Sequence, residues 1–182
     1  MDLVAFNKKH DIVLYCTYNE TTLNEINKIF NNPQQTEYTH DILAFWAGMY
    51  YWKELKNLTQ AKILLWLSAK TINAALYNLT YLYREENNID EAKRICYLGL
   101  GKGITMMYTA LGDIYYTEKN YDEALRYLLL SLEKNKRYVD STEILLGHIY
   151  RNKNDPEKAI HHYQHAYDNG NRCAATYLGN SI

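Results

Sequence analysis

The sequence predicts an all-α protein of about four helix-turn-helix repeats, stacked as a solenoid with helical caps at both ends. Three observations predict that class. Small residues recur at a period of thirty-odd, at Gly48, Thr80, Gly112, Gly147 and Gly179, with spacings of 32, 32, 35 and 32. A good helix N-cap stands at one place in four of these units, as Asn57, Asn88, Asn120 and Asp155. No sustained apolar-polar alternation follows residue 20, so no strand pattern competes.

Residues 1–40 lie outside the repeat frame and read as an N-terminal capping segment. Thr22 and Glu25 have capping-box spacing, and Leu23, Ile26, Ile29 and Phe30 form a helical stripe that Asn31-Asn32-Pro33 ends. This helix is expected to cover the first repeat. Ile12 to Tyr15 reads as a preceding helix, with a strand as the alternative.

The array is expected over 41–182, with units at about 41–70, 71–102, 103–134 and 135–168 and a C-terminal half-repeat at 169–182. A Tyr follows each of the first four small residues by three positions: Tyr51, Tyr83, Tyr115 and Tyr150. An Ala follows by 12 or 13: Ala61, Ala92, Ala124 and Ala159. Seven residues further stands another small residue, Ser68, Gly99, Ser131 or Ala166. Intervals of three, four and seven share one helical stripe. Small residues there let two helices approach closely, with the Tyr filling the space beside them. Each N-cap lies four residues before its Ala, where its side chain can accept a bond from a first-turn N–H. Gln60, Glu91 and Glu123 stand at capping-box spacing, and Pro156 follows Asp155 at a favoured first helical position. Gly99-Leu100-Gly101-Lys102-Gly103 lacks the Gly-Lys-Ser/Thr ending of a phosphate loop and reads as a helix stop between repeats. One hairpin cannot bury its apolar stripe alone, whereas stacked neighbours bury it jointly.

Composition narrows the function classes. The chain has 182 residues, a net charge of −1, 47% apolar and 23% charged residues, and 19 Tyr. That balance is soluble and globular, and it offers no basic field for bulk phosphate, so generic nucleic-acid binding is disfavoured. Cys16, Cys96 and Cys173 are too far apart for a disulfide framework or zinc knuckle, which suggests a reducing, cytoplasmic home. No signal-peptide pattern opens the chain, and the run Ile42 to Trp52 is too short to span a bilayer. The triplets at Asn19, Asn57 and Asn78 are then chance sequons, and no cofactor is expected.

The repeat strings beginning at Ala47, Leu79, Leu111 and Leu146 resemble the tetratricopeptide and Sel-one-like repeat superfamily. Leu-Gly-x-x-Tyr, with Ala 12 residues after the Gly, is similar to the tetratricopeptide pattern. Ala166 through Gly170 and Ala174 to Leu178-Gly179 resembles the Sel-one-like link, although the internal Gly-x-Gly and the closing Pro are absent. The resemblance implies a right-handed solenoid whose first helices line a concave, protein-binding groove. On that stripe lie Phe45, Met49 and Trp52, then Tyr77, Tyr81 and Arg84, then Thr109, Asp113 and Tyr116, then Ile144, His148 and Arg151. Aromatic and Arg side chains suit capture of a polypeptide segment. The proposed groove is therefore Tyr77, Tyr81, Arg84, Asp113, Tyr116, His148 and Arg151, with Phe45, Met49 and Trp52 expected under the N-terminal segment. The Lys/Asn carboxylate clamp of chaperone-binding relatives is missing from these positions.

The expected function is a non-enzymatic interaction scaffold for another protein or peptide. Two alternatives stand beside it. One is a metal-dependent or hydrolytic role at His161, His162 and His165, of which His161 and His165 have helical metal-ligand spacing but no third ligand nearby in sequence, and all three are expected on a solvated face. The other is a structural module that self-associates, at least weakly. No nucleophile motif appears.

Overall fold

The computed structural model describes residues 1–10, 12, 18–33, 40–134 and 139–179. The fold is all-α and built of helical repeats: the described residues form eleven helices and no strand. The chain divides into two compact units, Met1–Glu86 and Asn87–Ile182. Most of the Ile12 to Tyr15 segment lies outside the described residues.

The first unit holds α1 (Leu3–Lys9), α2 (Glu20–Asn31), α3 (Asp41–Lys53), α4 (Leu58–Ser68) and α5 (Asn73–Glu85). Asp2 caps α1 by accepting from the Ala5 N–H, and Lys8 and Lys9 sit favourably in its last turn. α2 begins one turn before the Thr22–Glu25 box, because Asn19 already accepts from the Thr22 N–H at 2.8 Å. Ile26, Ile29 and Phe30 of its stripe are buried, and Leu23 is half-buried. Phe30 stacks on Tyr50 of α3, and Phe6 of α1 packs on Phe30, Tyr50 and Trp46. α3 is buried nearly all round, which its unbroken apolar run required.

The second unit holds α6 (Ile89–Gly101), α7 (Met107–Thr117), α8 (Tyr121–Lys134), α9 (Val139–Asn152), α10 (Pro156–Asp168) and α11 (Ala174–Gly179). Ala124, Leu128, Leu146 and Ile149 form a fully buried cluster, with Tyr115, Tyr116, Leu125 and Leu145 packed against it. Thr109 Oγ1 lies 2.6 Å from Ser131 Oγ and 3.3 Å from Thr142 Oγ1, so three buried hydroxyls from α7, α8 and α9 satisfy one another.

All four N-caps form as the sequence indicates. Asn57, Asn88, Asn120 and Asp155 accept from the N–H groups of Gln60, Glu91, Glu123 and Lys158. The carboxylates of Glu91 and Glu123 turn instead to Arg94 and Arg126, three residues on. The residue before each cap is left-handed: Lys56, Asn87, Lys119 and Asn154 have φ of 54°, 58°, 61° and 59°. That residue lets the following N–H return to the last turn of the previous helix. Asn57, Asn120 and Asp155 each donate 2.9 Å bonds to the carbonyls of Tyr51, Tyr115 and Tyr150. One residue thus ends one helix and sets the cap of the next. The stop at Gly99–Gly103 has the same form: Gly103 has φ 77° and the Ile104 N–H bonds the Gly99 carbonyl at 2.9 Å.

The small-residue stripe is the helix-helix seam. Ala61, Ala92, Ala124, Ala159, Ser68, Ser131 and Ala166 are at most 1% exposed. A methyl group on Gly112 would lie 2.5 Å from Leu128, and one on Gly147 would strike the Tyr163 ring well inside contact distance. The repeat tyrosines do not enter this seam. Tyr83, Tyr115 and Tyr150 are half-buried at the hairpin edge, with Lys62, Lys93 and Lys158 over their rings at 5.0, 4.5 and 5.2 Å. Gly179 departs from the pattern, being exposed with open space around it.

Gly147→Ala is expected to lower unfolding stability by about 1–3 kcal/mol, since the buried Tyr163 ring must shift. Gly101→Ala, where an added methyl meets nothing, should be neutral or stabilising by up to about 1 kcal/mol. Lys119→Gly should relieve a left-handed Lys and gain about 0.5–1 kcal/mol. Urea titrations followed by helical circular dichroism measure all three.

Candidate partner-binding site

The proposed groove residues fall on the first helices of successive repeats, and each unit carries its own set. In the first unit Tyr77, Tyr81 and Arg84 lie on α5 and are half-buried. The hydroxyls of Tyr77 and Tyr81 are 2.9 Å apart, their rings pack edge to face, and the Arg84 guanidinium lies 5.3 Å from the Tyr81 ring centre. The i, i+4, i+7 spacing on one helix makes this local stack possible.

Phe45, Met49 and Trp52 are buried, but the contacts of the latter two differ from the expected cover. The Asn78 amide contacts Met49 Sδ at 3.2 Å, and the Trp52 indole N–H donates to Glu85 at 2.8 Å. Both partners lie on α5. The N-terminal segment covers the neighbouring side of α3 instead, through Phe6, Tyr18, Lys9 and His10. Tyr18 OH accepts from the Trp46 indole at 3.1 Å. Lys9 and His10 bond the Glu54 carboxylate at 2.8 and 2.6 Å, and these bonds hold Glu54 below the usual carboxylate range.

In the second unit α7 positions Asp113 and Tyr116, and α9 positions His148 and Arg151. Thr109, placed on the same stripe by its spacing, is core: its hydroxyl belongs to the buried Thr109–Ser131–Thr142 group. His148 is the hub of the remaining patch. Its ring stacks beside Tyr116 at 6.2 Å and meets the edge of Tyr177 at 4.7 Å. Its Nδ1 is 2.8 Å from the Tyr163 hydroxyl. The Tyr116 hydroxyl accepts from the Asn152 amide at 3.3 Å. Burial lowers the His148 pKa, and the Arg151 charge adds to the effect. Burial likewise raises that of Tyr163. The patch is therefore a neutral imidazole among three phenols, with an exposed guanidinium, Arg151, beside it.

Sequence spacing brought Asp113, Tyr116, His148 and Arg151 to the two first helices but missed Tyr163 and Tyr177. Tyr163 is buried on the same helical stripe as Ala159 and Ala166, and its hydroxyl reaches the patch. Tyr177 precedes Leu178-Gly179, so the repeat frame could have placed it.

The histidine cluster lies on a solvated face at His161 and His165, as expected, but not at His162. His161 and His165 are exposed, with rings 4.3 Å apart. His162 is half-buried, stacks on Tyr150 and lies 2.6 Å from Glu143, a carboxylate only 4% exposed. His165 Nδ1 is 3.5 Å from the same carboxylate. Glu143 comes from α9, 19 residues before His162, so sequence proximity could not reveal it. Among the described residues no group of three or more His, Cys, Asp or Glu is arranged to hold a metal ion.

Residues 103–172, which contain α7 to α10 and all of the His148 patch except Tyr177, match the family model of the tetratricopeptide repeat. This stretch is similar to the tetratricopeptide repeat. No curated protein matches the chain. Tetratricopeptide repeats generally mediate protein–protein interaction and are typically non-enzymatic. Among the described residues no helix is long and apolar enough to cross a membrane.

The His148 environment fixes a pH dependence. Its unfolded pKa is about 6.5 and its folded pKa lies lower. Between the two, the unfolded chain binds a proton that the folded protein resists, so stability is retained above about pH 6.5 and falls as pH drops through that window. Urea midpoints measured from about pH 8 to pH 5 should fall less steeply on acidification for His148→Gln than for wild type.

Proposed function

We propose that this protein is a non-enzymatic scaffold that binds another polypeptide through the first-helix faces of its repeats. The observation that carries this reading is the His148 patch, all of which except Tyr177 lies within the residues that match the tetratricopeptide-repeat model. It combines Tyr116, Tyr177 and a neutral imidazole with the exposed cation of Arg151. Aromatic rings give large contact area at low rotamer cost, and an Arg beside them supplies a directional donor. The Tyr77–Tyr81–Arg84 stack offers the same chemistry on the first unit.

The test compares partner capture by wild type, Tyr116→Ala/Arg151→Ala and, separately, Tyr81→Ala, with circular dichroism confirming the fold. Loss of two hot-spot side chains should weaken a captured partner by about tenfold or more. An unchanged set of partners in both variants would move the binding surface away from these faces.

A further inference from the structure

A carboxylate from the neighbouring helix sets the histidines of α10. Glu143 of α9 is buried, and its two oxygens face two different imidazoles. Oε2 lies 2.6 Å from His162 Nδ1, and Oε1 lies 3.5 Å from His165 Nδ1. A carboxylate can only accept, so it favours a proton on the Nδ1 atom that faces it. The lone pair of each ring then sits on Nε2, at the edge away from Glu143. The His162 ring is half-buried and stacked on Tyr150 at 5.2 Å. The His165 ring is exposed, and the ring of His161, also exposed, lies 4.3 Å from it. His161 and His165 stand four apart on α10, so both imidazoles leave the same face one turn apart.

We propose that His161 and His165 form a two-imidazole site for a divalent transition metal of the copper, nickel and zinc group, with Glu143 as its positioning residue. Imidazole nitrogen suits these ions, whereas calcium and magnesium prefer oxygen donors. Water fills the positions that the two nitrogens leave, so the site is open and exchangeable rather than a closed structural centre. Glu143 fixes the orientation and tautomer of His165 and raises the basicity of its outer nitrogen, as a carboxylate behind a ligating histidine does. His162 is not a ligand, because its ring is held by Glu143 and Tyr150. Affinity follows the order copper over nickel over zinc. The ion binds the folded chain better than the unfolded one, in which nothing holds the two rings together. The site is separate from the His148 patch, and the two readings stand or fall independently.

The probe is nickel(II) chloride, titrated by calorimetry into the full chain without an affinity tag, in a non-coordinating buffer at about pH 7.5 where ligating imidazoles are neutral. One ion per chain is expected, and the paramagnetic ion should broaden the ring resonances of His161 and His165. His161→Ala and His165→Ala alter exposed side chains, keep the fold and should each weaken binding by about tenfold or more. His40→Ala, an exposed histidine elsewhere in the chain, should bind as wild type does. Glu143→Gln, with its fold checked by circular dichroism, should weaken binding by about tenfold. Nitrogen-15 shifts of the His165 ring should place its proton on Nδ1 in wild type and no longer hold it there in Glu143→Gln. No saturable binding below about millimolar nickel overturns the proposal, as does equal affinity in the double variant His161→Ala/His165→Ala. Equal affinity in folded Glu143→Gln overturns the role of Glu143.

Discussion

The close approach of paired helices along the Gly/Ala seam is the constraint on which the rest of the structure depends. Where Gly147 faces Tyr163 there is no room for a single methyl group. Helices that near one another must be joined by a short, sharply set corner, and the left-handed residue followed by an Asn or Asp cap is such a corner. The same proximity expels the repeat tyrosines from the interface. They lie along the edge, where lysine stems and charges cover them. The ion pairs of those lysines, Lys62 with Glu86 and Lys93 with Glu118, are surface pairs and add little energy by themselves.

The patch around His148 shows what the seam makes possible. Tyr163 fills the gap over Gly147 with its ring, and its hydroxyl emerges on the other side to meet His148. One side chain therefore belongs to the core and to the surface patch at once. An imidazole so enclosed loses water on most sides and keeps its lone pair. The polarity of the patch is then carried by phenols and one guanidinium.

Local features were legible in the sequence, and contacts between distant segments were not. The four caps and the Gly103 stop depend on residues within five positions of one another, and all formed as read. Thr22 and Glu25 have the spacing of a cap, but Asn19 stands three residues earlier and caps α2 first. α1 offered only Leu3 and Phe6 as a stripe, too short to show a period. Glu143 carries no local signal, since its role arises only where α9 brings it against His162 and His165. Thr109 satisfied the groove spacing, but the stripe could not show that Ser131 and Thr142 would close over its hydroxyl.

The Thr109–Ser131–Thr142 group bears on how neighbouring repeats recognise one another. Apolar seams of nearly identical shape are interchangeable, so a stack of similar hairpins risks sliding by a turn or pairing with the wrong neighbour. A dry trio of hydroxyls tolerates no such error, because a slip would leave oxygens facing methyl groups with no water to replace the lost bonds. The trio therefore acts as a keyed joint among α7, α8 and α9, contributing less to overall cohesion than to ruling out mismatched assemblies.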